Sequence, residues 1–156
     1  MRIRKRPWVD EEVENCTFFI KEPQEHRGHW KEAFGKEQPL YLELGCGKGS
    51  FIAELAKRHP EINYIAVDLV DTMLGLAQRN VEKTFNEVQK PIENVLLTQW
   101  NIEKISQIFK GDKIERIYIN FCNPWPRPRH NKRRLTHPRQ LEQYKNILEP
   151  SRKNLF

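Results

Sequence analysis

The sequence contains no hydrophobic run long enough to cross a membrane. A transmembrane helix needs roughly 20 consecutive apolar residues, and no apolar run among the 156 residues approaches that length. The N-terminus, residues 1–8, is basic but has no apolar stretch behind it, so it does not match a secretory signal. These absences argue against membrane-spanning and secreted proteins, and we expect the chain in the cytoplasm.

Cysteine is scarce, and metal-ligand spacing is missing. The three cysteines, Cys16, Cys46 and Cys122, are odd in number and far apart, which excludes a disulfide framework or a paired-cysteine zinc site. His26 and His29 are three residues apart but have no acidic or thiol partner at metal spacing. We therefore expect reduced thiols and no bound metal.

Acidic residues are absent from residues 123–139, where six Lys and Arg side chains fall, and from the first six residues, which hold four more. Without these ten cations, 17 basic residues face 21 acidic ones in the rest of the chain. The positive charge is thus concentrated in two short segments, which indicates a polyanionic partner, most often a nucleic acid. The alternative is a solvated basic loop.

Four short apolar runs alternate with four stretches of helical periodicity. Residues 1–35 are polar and predict a basic arm with a short helix. The predicted strands are 40–44, 64–67, 95–97 and 117–121, and the apolar positions of the predicted helices fall in 51–56, 73–81, 105–109 and 141–148. Such alternation predicts an α/β fold, a Rossmann-like doubly wound parallel sheet with helices on both faces. Ligands bind beyond the carboxyl ends of the strands in such folds, so we expect the site in residues 43–49, 68–70, 98–103 and 121–127.

A glycine-rich loop follows the first predicted strand. Gly45, Gly47 and Gly49 stand at alternate positions and permit a sharp turn and close approach to a ligand. The loop has neither the spacing of a phosphate-binding loop nor that of a dinucleotide site. Glu43, just before it, would repel a pyrophosphate but suits a cation such as S-adenosylmethionine. The loop therefore resembles motif I of Rossmann-like methyltransferases; the alternative is a plain turn between strand and helix.

Polar residues also follow the second and third predicted strands. Asp68 comes 25 residues after Glu43, where a carboxylate can bind both ribose hydroxyls. The alternative for Asp68 is an N-cap of the next helix. Asn101 and Glu103 follow the third strand, where either side chain could recognise the adenine amino group, although Asn after a strand is usually a turn residue.

The fourth strand is followed by Asn123-Pro124-Trp125-Pro126, with a basic run directly behind it. This segment resembles the Asp/Asn-Pro-Pro-aromatic motif of amino-methylating enzymes. In that motif the side-chain oxygen accepts a hydrogen bond from an exocyclic amine of the base and the aromatic ring stacks on the base. Guanidinium groups suit phosphate geometry. The alternative is a rigid, solvated surface loop.

Residues 120–135, Asn-Phe-Cys-Asn-Pro-Trp-Pro-Arg-Pro-Arg-His-Asn-Lys-Arg-Arg-Leu, resemble the signature of bacterial tRNA (guanine-N7)-methyltransferases. The basic start through Pro7-Trp8 and the loop at 43–49 are similar to the same family, so the resemblance covers nearly the whole chain. It implies a class I methyltransferase domain over 36–156 behind an arm over 1–35. It also implies S-adenosylmethionine as cofactor, tRNA as partner, a monomer or homodimer, and methylation of N7 of a variable-loop guanosine.

The resemblance also implies roles for individual residues. The residues matching the family's cofactor contacts are Glu43, Gly45, Gly47, Gly49, Asp68, Asn101 and Asn123. Asn123 also matches the position of the catalytic acid. The residues matching the tRNA contacts are Arg127, Arg129, His130, Asn131, Lys132, Arg133 and Arg134.

The chain departs from the family pattern in two respects. The family commonly has Asp where this chain has Asn101 and Asn123; guanine N7 carries no proton, so orientation rather than a general base is the main requirement. The family also continues with further strands beyond residues 150–156, so we expect a sheet without its last strands, with the fourth strand at an edge. We hypothesise a truncated or frameshifted product. The alternative functions are an exocyclic-amine methyltransferase and a non-catalytic RNA-binding or truncated inactive form.

Overall fold

The computed structural model describes residues 7–119 and 138–148. In this part of the chain five parallel strands form one sheet in the order β1-β4-β3-β2-β5. The strands are β1 Phe19–Ile20, β2 Leu40–Leu44, β3 Asn63–Asp68, β4 Val95–Gln99 and β5 Ile114–Ile119. The helices are α1 Pro7–Asn15, α2 Ser50–Arg58, α3 Asp71–Glu87 and α4 Pro138–Ile147, with 3₁₀ turns at Pro23–His26, Trp30–Ala33 and Ile102–Gln107. The α/β prediction and the first three predicted strands are confirmed, and the fourth is confirmed as far as residue 119, because residues 120 and 121 lie outside the described residues.

Two details differ from the sequence prediction. Strand β1 was not predicted, because two residues are too few to show a period-two pattern; Leu97 N–H donates to Phe18 O (2.8 Å) and Thr98 Oγ1 to Ile20 O (2.7 Å) to hold it against β4. The third predicted helix is a 3₁₀ turn with a kink at Lys104. Its apolar spacing serves to bury Ile105 rather than to build a longer α-helix.

Strand β3, at the centre of the sheet, is buried on both faces. In β3, Tyr64, Ile65, Ala66 and Val67 all have no exposed surface, as expected of a strand covered on both faces. On β2, alternate side chains point to opposite faces, so Leu42 and Leu44 share one face while Glu43 lies on the other.

The helices α2 and α3 pack against each other, and α1 packs on α3. A Cβ on Gly75 of α3 would come within about 3.0 Å of Val9 and 3.1 Å of Trp8, so the small residue admits α1. Arg79 lies 3.4 Å from the centre of the Trp8 ring and forms two hydrogen bonds with Glu12. In the described part of the chain, no helix combines the length and apolar character that a bilayer span requires.

Asp112 joins distant parts of the chain. Its buried carboxylate accepts backbone N–H groups from Gly28 (2.9 Å), Trp30 (3.0 Å) and Lys110 (2.9 Å). The fully buried Trp30 also donates its indole N–H to Ile108 O at 2.6 Å. The segment before β2 is thus fixed to the loop that precedes β5.

Strand β5 lies at one edge of the described sheet, as predicted for the fourth strand. Its Tyr118 contacts the rings of Phe51 (5.3 Å between centroids) and Tyr41 (6.3 Å). Apart from an isolated bridge between Ile114 and Leu148, β5 pairs within the described residues with β2.

Candidate functional site

The carboxyl ends of β2, β3 and β4 lie side by side because the three strands are adjacent and parallel. In register, Glu43 is opposite Ala66, and Asp68 is opposite Gln99. Glu43, Asp68 and Asn101 therefore lie together with the glycine loop at the carboxyl-terminal edge of the sheet, which is formed by the ends of the strands. This edge is where the sequence predicted the site.

The glycine loop needs its glycines for their backbone conformation. Gly45, Gly47 and Gly49 have φ values of 75°, 53° and 78°, a region that other residues rarely adopt. Gly45 N–H donates to Val67 O at 2.8 Å and fastens the loop to the end of β3. Gly49 also lies where α2 and α3 touch, since a Cβ there would be 2.6 Å from Ala77 Cβ.

Glu43 is a buried carboxyl group without a hydrogen-bond partner in the described part of the chain. Its exposed fraction is 0%, and neither carboxylate oxygen accepts a hydrogen bond from the described residues. Burial, together with the nearby charge of Asp68, raises the pKa of Glu43 from 4.5 to about 8. A buried polar group with open acceptors costs stability unless a donor satisfies it, so the position suits a ligand that carries N–H donors and positive charge.

Asp68 connects the two strand ends. Its Oδ2 accepts Gly47 N–H at 2.9 Å, and its Oδ1 accepts Val70 N–H at 3.0 Å. Burial raises the pKa of Asp68, and these backbone hydrogen bonds oppose the rise. The N-cap of α3 is Val70, so the alternative assignment of Asp68 as N-cap is wrong. A carboxylate has about four acceptor positions, so Asp68 keeps capacity for the hydroxyl groups that the sequence predicts.

Asn101 has a structural role. It is the N-cap of the 3₁₀ turn, where its Oδ1 accepts Glu103 N–H at 3.0 Å. This is the turn function that the sequence offered as an alternative. A contact with a cofactor stays a prediction and would use the remaining side-chain amide or second oxygen lone pair.

Three residues of this edge were not singled out in the sequence. Asn80 of α3 donates Nδ2 to Lys48 O at 2.6 Å and so holds the glycine loop from outside. Leu69 is 56% exposed and offers an apolar surface beside Asp68. Gln99 donates Nε2 to Leu69 O at 2.8 Å and so fixes the backbone of Leu69. An apolar residue directly after the strand-end acid was the available signal for Leu69, whereas the Asn80 contact depends on tertiary packing.

The edge is acidic. Among the described residues, neither Glu43 nor Asp68 takes part in an ion pair. Two neighbouring carboxyl groups without a cation, beside a sharply turned glycine loop, fit a ligand that brings positive charge and hydroxyl groups. An anionic pyrophosphate would be repelled by the Asp68 carboxylate.

The segment after β5 lies outside the described residues. It includes the predicted catalytic residue Asn123, the aromatic Trp125 and the predicted RNA contacts Arg127, Arg129, His130, Asn131, Lys132, Arg133 and Arg134. The basic residues before Pro7 also lie outside them. The roles of these residues stay predictions.

Comparisons with known proteins agree with this geometry. A family model described as "Putative methyltransferase" matches residues 37–153. A tRNA (guanine-N(7)-)-methyltransferase of Clostridium beijerinckii is 55% identical over 150 residues, covering 96% of this chain and 68% of the relative. The enzyme of that name from Acetivibrio thermocellus is 46% identical over 152 residues, covering 97% of this chain and 70% of the relative.

A solved structure supports the fold. The arsenic(III) S-adenosylmethionine methyltransferase of Chlamydomonas reinhardtii superposes with a TM-score of 0.56 at 17% identity, covering 94% of this chain and 46% of that one. At this identity the likeness concerns the fold alone. The sequence identity to the two bacterial enzymes shows the family as well as the fold: the chain belongs to the family of tRNA (guanine-N(7)-)-methyltransferases.

Proposed function

We propose that this chain transfers a methyl group from S-adenosylmethionine to N7 of a guanosine in tRNA. The observation that carries the proposal is 55% identity, over 96% of the chain, to an enzyme named for that reaction. We expect it to work in the cytoplasm on tRNA, as a monomer or a homodimer, and we take the variable-loop guanosine as the target.

The described site fits the cofactor. Glu43 offers two open acceptors to the ammonium group, and Asp68 offers acceptors to the ribose hydroxyls. The turn at Gly45, Gly47 and Gly49 lets the backbone come close to the ligand. When bound, the cofactor supplies a methyl group activated by the positive sulfonium.

Methylation of guanine N7 does not require the protein to supply a general base. Guanine N7 has a lone pair and no proton, so the protein must chiefly hold the base in line with the methyl group. We assign this orientation to Asn123 and Trp125. Asn123 keeps the carbonyl acceptor of the family's usual Asp but not its charge, and therefore stabilises the developing positive charge on guanine less well.

Recognition of tRNA is assigned to the basic segments. Residues 123–139 contain six Lys and Arg side chains and no Asp or Glu, and they follow the strand end that presents Asn123. Phosphate contacts and the base-orienting residues are therefore neighbours in the sequence. His130 and Asn131 lie within the same run and add polar contacts.

The deciding experiment is transfer of tritium from labelled S-adenosylmethionine to unmodified tRNA, followed by nucleoside analysis. We expect label in N7-methylguanosine, which is cationic and alkali-labile. Asn123→Ala should lower transfer, whereas Asn86→Ala, an exposed Asn on α3, should leave it unchanged. Label only in an exocyclic-amine product would instead support the reading suggested by Asn-Pro-Trp-Pro.

A measurement of cofactor binding distinguishes the methyltransferase from the remaining alternative, a non-catalytic RNA-binding protein. Asn123→Asp should retain S-adenosylmethionine binding, because the change restores the family's residue and removes no acceptor. A chain that binds tRNA but neither binds the cofactor nor transfers label would be a non-catalytic RNA-binding protein, and the enzymatic proposal would be withdrawn.

A further inference from the structure

Two buried carboxyl groups of the described chain differ sharply in their partners. Asp112, 6% exposed, accepts three backbone N–H groups. Glu43, 0% exposed, accepts none from the described residues. An ionised carboxylate is costly inside a protein without donors or a countercharge, and such a group normally keeps its proton.

No described cation is paired with Glu43: Arg116 of β5, which shares its face, lies over the Tyr41 and Tyr118 rings at 5.6 Å and 5.9 Å from their centres. From β3 Glu43 faces Asp68, whose charge opposes ionisation of Glu43, and from β5 it is aligned with Tyr118. On β2 itself Tyr41 shares its face. The glycine loop carries the exposed Lys48 and the buried Cys46, and the first turn of α2, residues 50–53, has no titratable side chain. Of these groups only Asp68 acts on Glu43 appreciably, and it disfavours a second negative charge.

We propose that Glu43 is protonated in the cofactor-free protein and that binding of the cofactor's ammonium group releases this proton to solvent. The O–H bond of the Glu43 carboxyl group breaks, the proton passes to water or buffer, and the resulting carboxylate accepts N–H hydrogen bonds from the ammonium. This inference rests on the proposed function, because it assumes that S-adenosylmethionine is the ligand.

The ammonium is the group that fits this position. Both oxygens of Glu43 lack donors from residues 7–119 and 138–148, and an ammonium brings three N–H donors together with a positive charge. The sulfonium brings charge but no hydrogen-bond donor. S-adenosylhomocysteine keeps the ammonium and lacks the sulfonium, so it should release the same proton.

The coupling has a defined pH dependence. Below a free-protein pKa of about 8, each binding event must remove a proton, so affinity rises with pH. Between pH 6.0 and 7.0 the ionised fraction of Glu43 rises roughly 9-fold, and the association constant should rise by about the same factor. This window ends below the pKa of roughly 7.7–8.0 that is usual for an α-amino group, so more than about 80% of the ligand keeps its ammonium charge throughout.

The test is calorimetric titration of the whole chain with S-adenosylmethionine, and separately with S-adenosylhomocysteine, at pH 7.0 in phosphate and in Tris. These buffers differ widely in their heat of protonation, so the difference in observed heat counts the protons released. We expect about one proton for each ligand. Glu43→Gln should abolish the release and flatten the pH dependence, whereas Glu61→Gln, the same change at an exposed position, should alter neither.

The wild-type result decides even if Glu43→Gln does not fold. Binding with equal heat in both buffers would overturn the proton coupling and leave the proposed function intact. Release with S-adenosylmethionine but not with S-adenosylhomocysteine would overturn the assignment to the ammonium. Absence of binding by either ligand would overturn the cofactor assignment, and the proposed function with it.

Discussion

At the scale of single residues, the same chemical group serves opposite purposes in this chain. Asp112 is buried with three N–H donors and stabilises the fold. Glu43 is buried without described donors, and this costs stability that a ligand can recover. The sequence distinguishes them only by position, since Glu43 precedes a glycine loop whereas Asp112 precedes an ordinary strand.

Removing the Asp112 carboxylate should destabilise the protein strongly. Asp112→Ala leaves three backbone N–H groups without their acceptor, and hydrogen bonds to charged groups contribute about 1.5–3 kcal/mol each. With partial rescue by water, we expect the free energy of unfolding to fall by about 3 kcal/mol in urea denaturation. As a control, Glu37→Ala, which removes an exposed ion pair with Lys31, should cost less than about 1 kcal/mol. Equal effects would contradict the structural role of Asp112.

Glu43 should make the cofactor-free protein less stable as pH rises. Its pKa is raised from 4.5 to about 8 on folding, so between these values the folded state binds a proton that the unfolded state has lost. Stability therefore falls with pH by about 1.4 kcal/mol per unit in this window and levels off above it. The free energy of unfolding of Glu43→Gln, taken relative to that of wild type, should therefore rise by about 3 kcal/mol as the pH is raised from 5 to 7.5. A constant difference across these pH values would show that Glu43 is ionised in the folded protein.

For single residues, the sequence predicts position in the fold better than hydrogen-bond partners. The position of Asp68 and Asn101 at neighbouring strand ends was predictable because parallel strands bring their carboxyl ends together; their roles in binding stay predictions. Their partners were not predictable, since Gly47 N–H and Glu103 N–H are oriented by loop geometry. Asn80 was missed because its contact with Lys48 joins residues 32 positions apart.

At the scale of elements, the glycine loop requires both a left-handed backbone and a close approach of α2 to α3, and mutations can separate these two requirements. Gly49 and Gly111 both have positive φ, 78° and 69°. A Cβ on Gly49 would lie 2.6 Å from Ala77 Cβ, whereas a Cβ on Gly111 would meet nothing within 4 Å. Gly111 therefore tests backbone strain alone, and Gly49 tests strain together with helix packing.

We expect Gly111→Ala to cost about 1–2 kcal/mol, the penalty of a left-handed conformation. Gly49→Ala should cost clearly more and should also weaken S-adenosylmethionine binding, because α2 must shift away from α3 and carry the loop with it. Thermal unfolding and calorimetric titration measure the two effects. Ala77→Gly in the Gly49→Ala background should restore little, because the new Cβ would still lie 2.7 Å from the Cα of residue 77. Similar costs at Gly49 and Gly111 would show that the approach of the helices is not limiting.

The elements differ in how well their patterns reveal them. Strands β2 to β5 were predicted because three to five mainly apolar residues between turn signals are enough to indicate a buried strand. Strand β1 has two residues and is defined by its neighbour β4 rather than by its own pattern. The third helix was expected from the spacing of Ile105 and Ile108, but the segment closes as a 3₁₀ turn after the Asn101 cap.

At the scale of the whole molecule, the distribution of charge separates two functions. The acidic edge with Glu43 and Asp68 suits the cationic cofactor, whereas the basic segments before residue 7 and after residue 122 suit a polyanion. The strand alternation predicted the position of the edge. The arrangement of residues 120–137 lies outside the described structure, so the base-orienting and tRNA-binding roles stay predictions.

Binding of tRNA should depend steeply on salt. Six phosphate contacts by the cations of residues 123–139 would give a log–log slope of about −4, at roughly −0.7 per contact for single-stranded RNA. Arg133→Ala with Arg134→Ala should make the slope shallower by about 1.4 without changing cofactor affinity. Lys36→Ala with Lys113→Ala, two exposed lysines near the opposite ends of the strands, is the matched control. A slope unchanged by the arginine pair would place the phosphate contacts elsewhere.

The attachment of residues 18–30 has a consequence for how the protein is made. Phe18 accepts its hydrogen bond from Leu97, and Gly28 and Trp30 donate to Asp112, so these early residues find their partners about 80 positions later in the chain. At a synthesis rate of roughly 5–20 residues per second, the N-terminal segment waits several seconds on the ribosome with its Trp and Phe side chains uncovered. We therefore expect the nascent chain to depend on chaperones that hold exposed apolar segments until Asp112 has emerged.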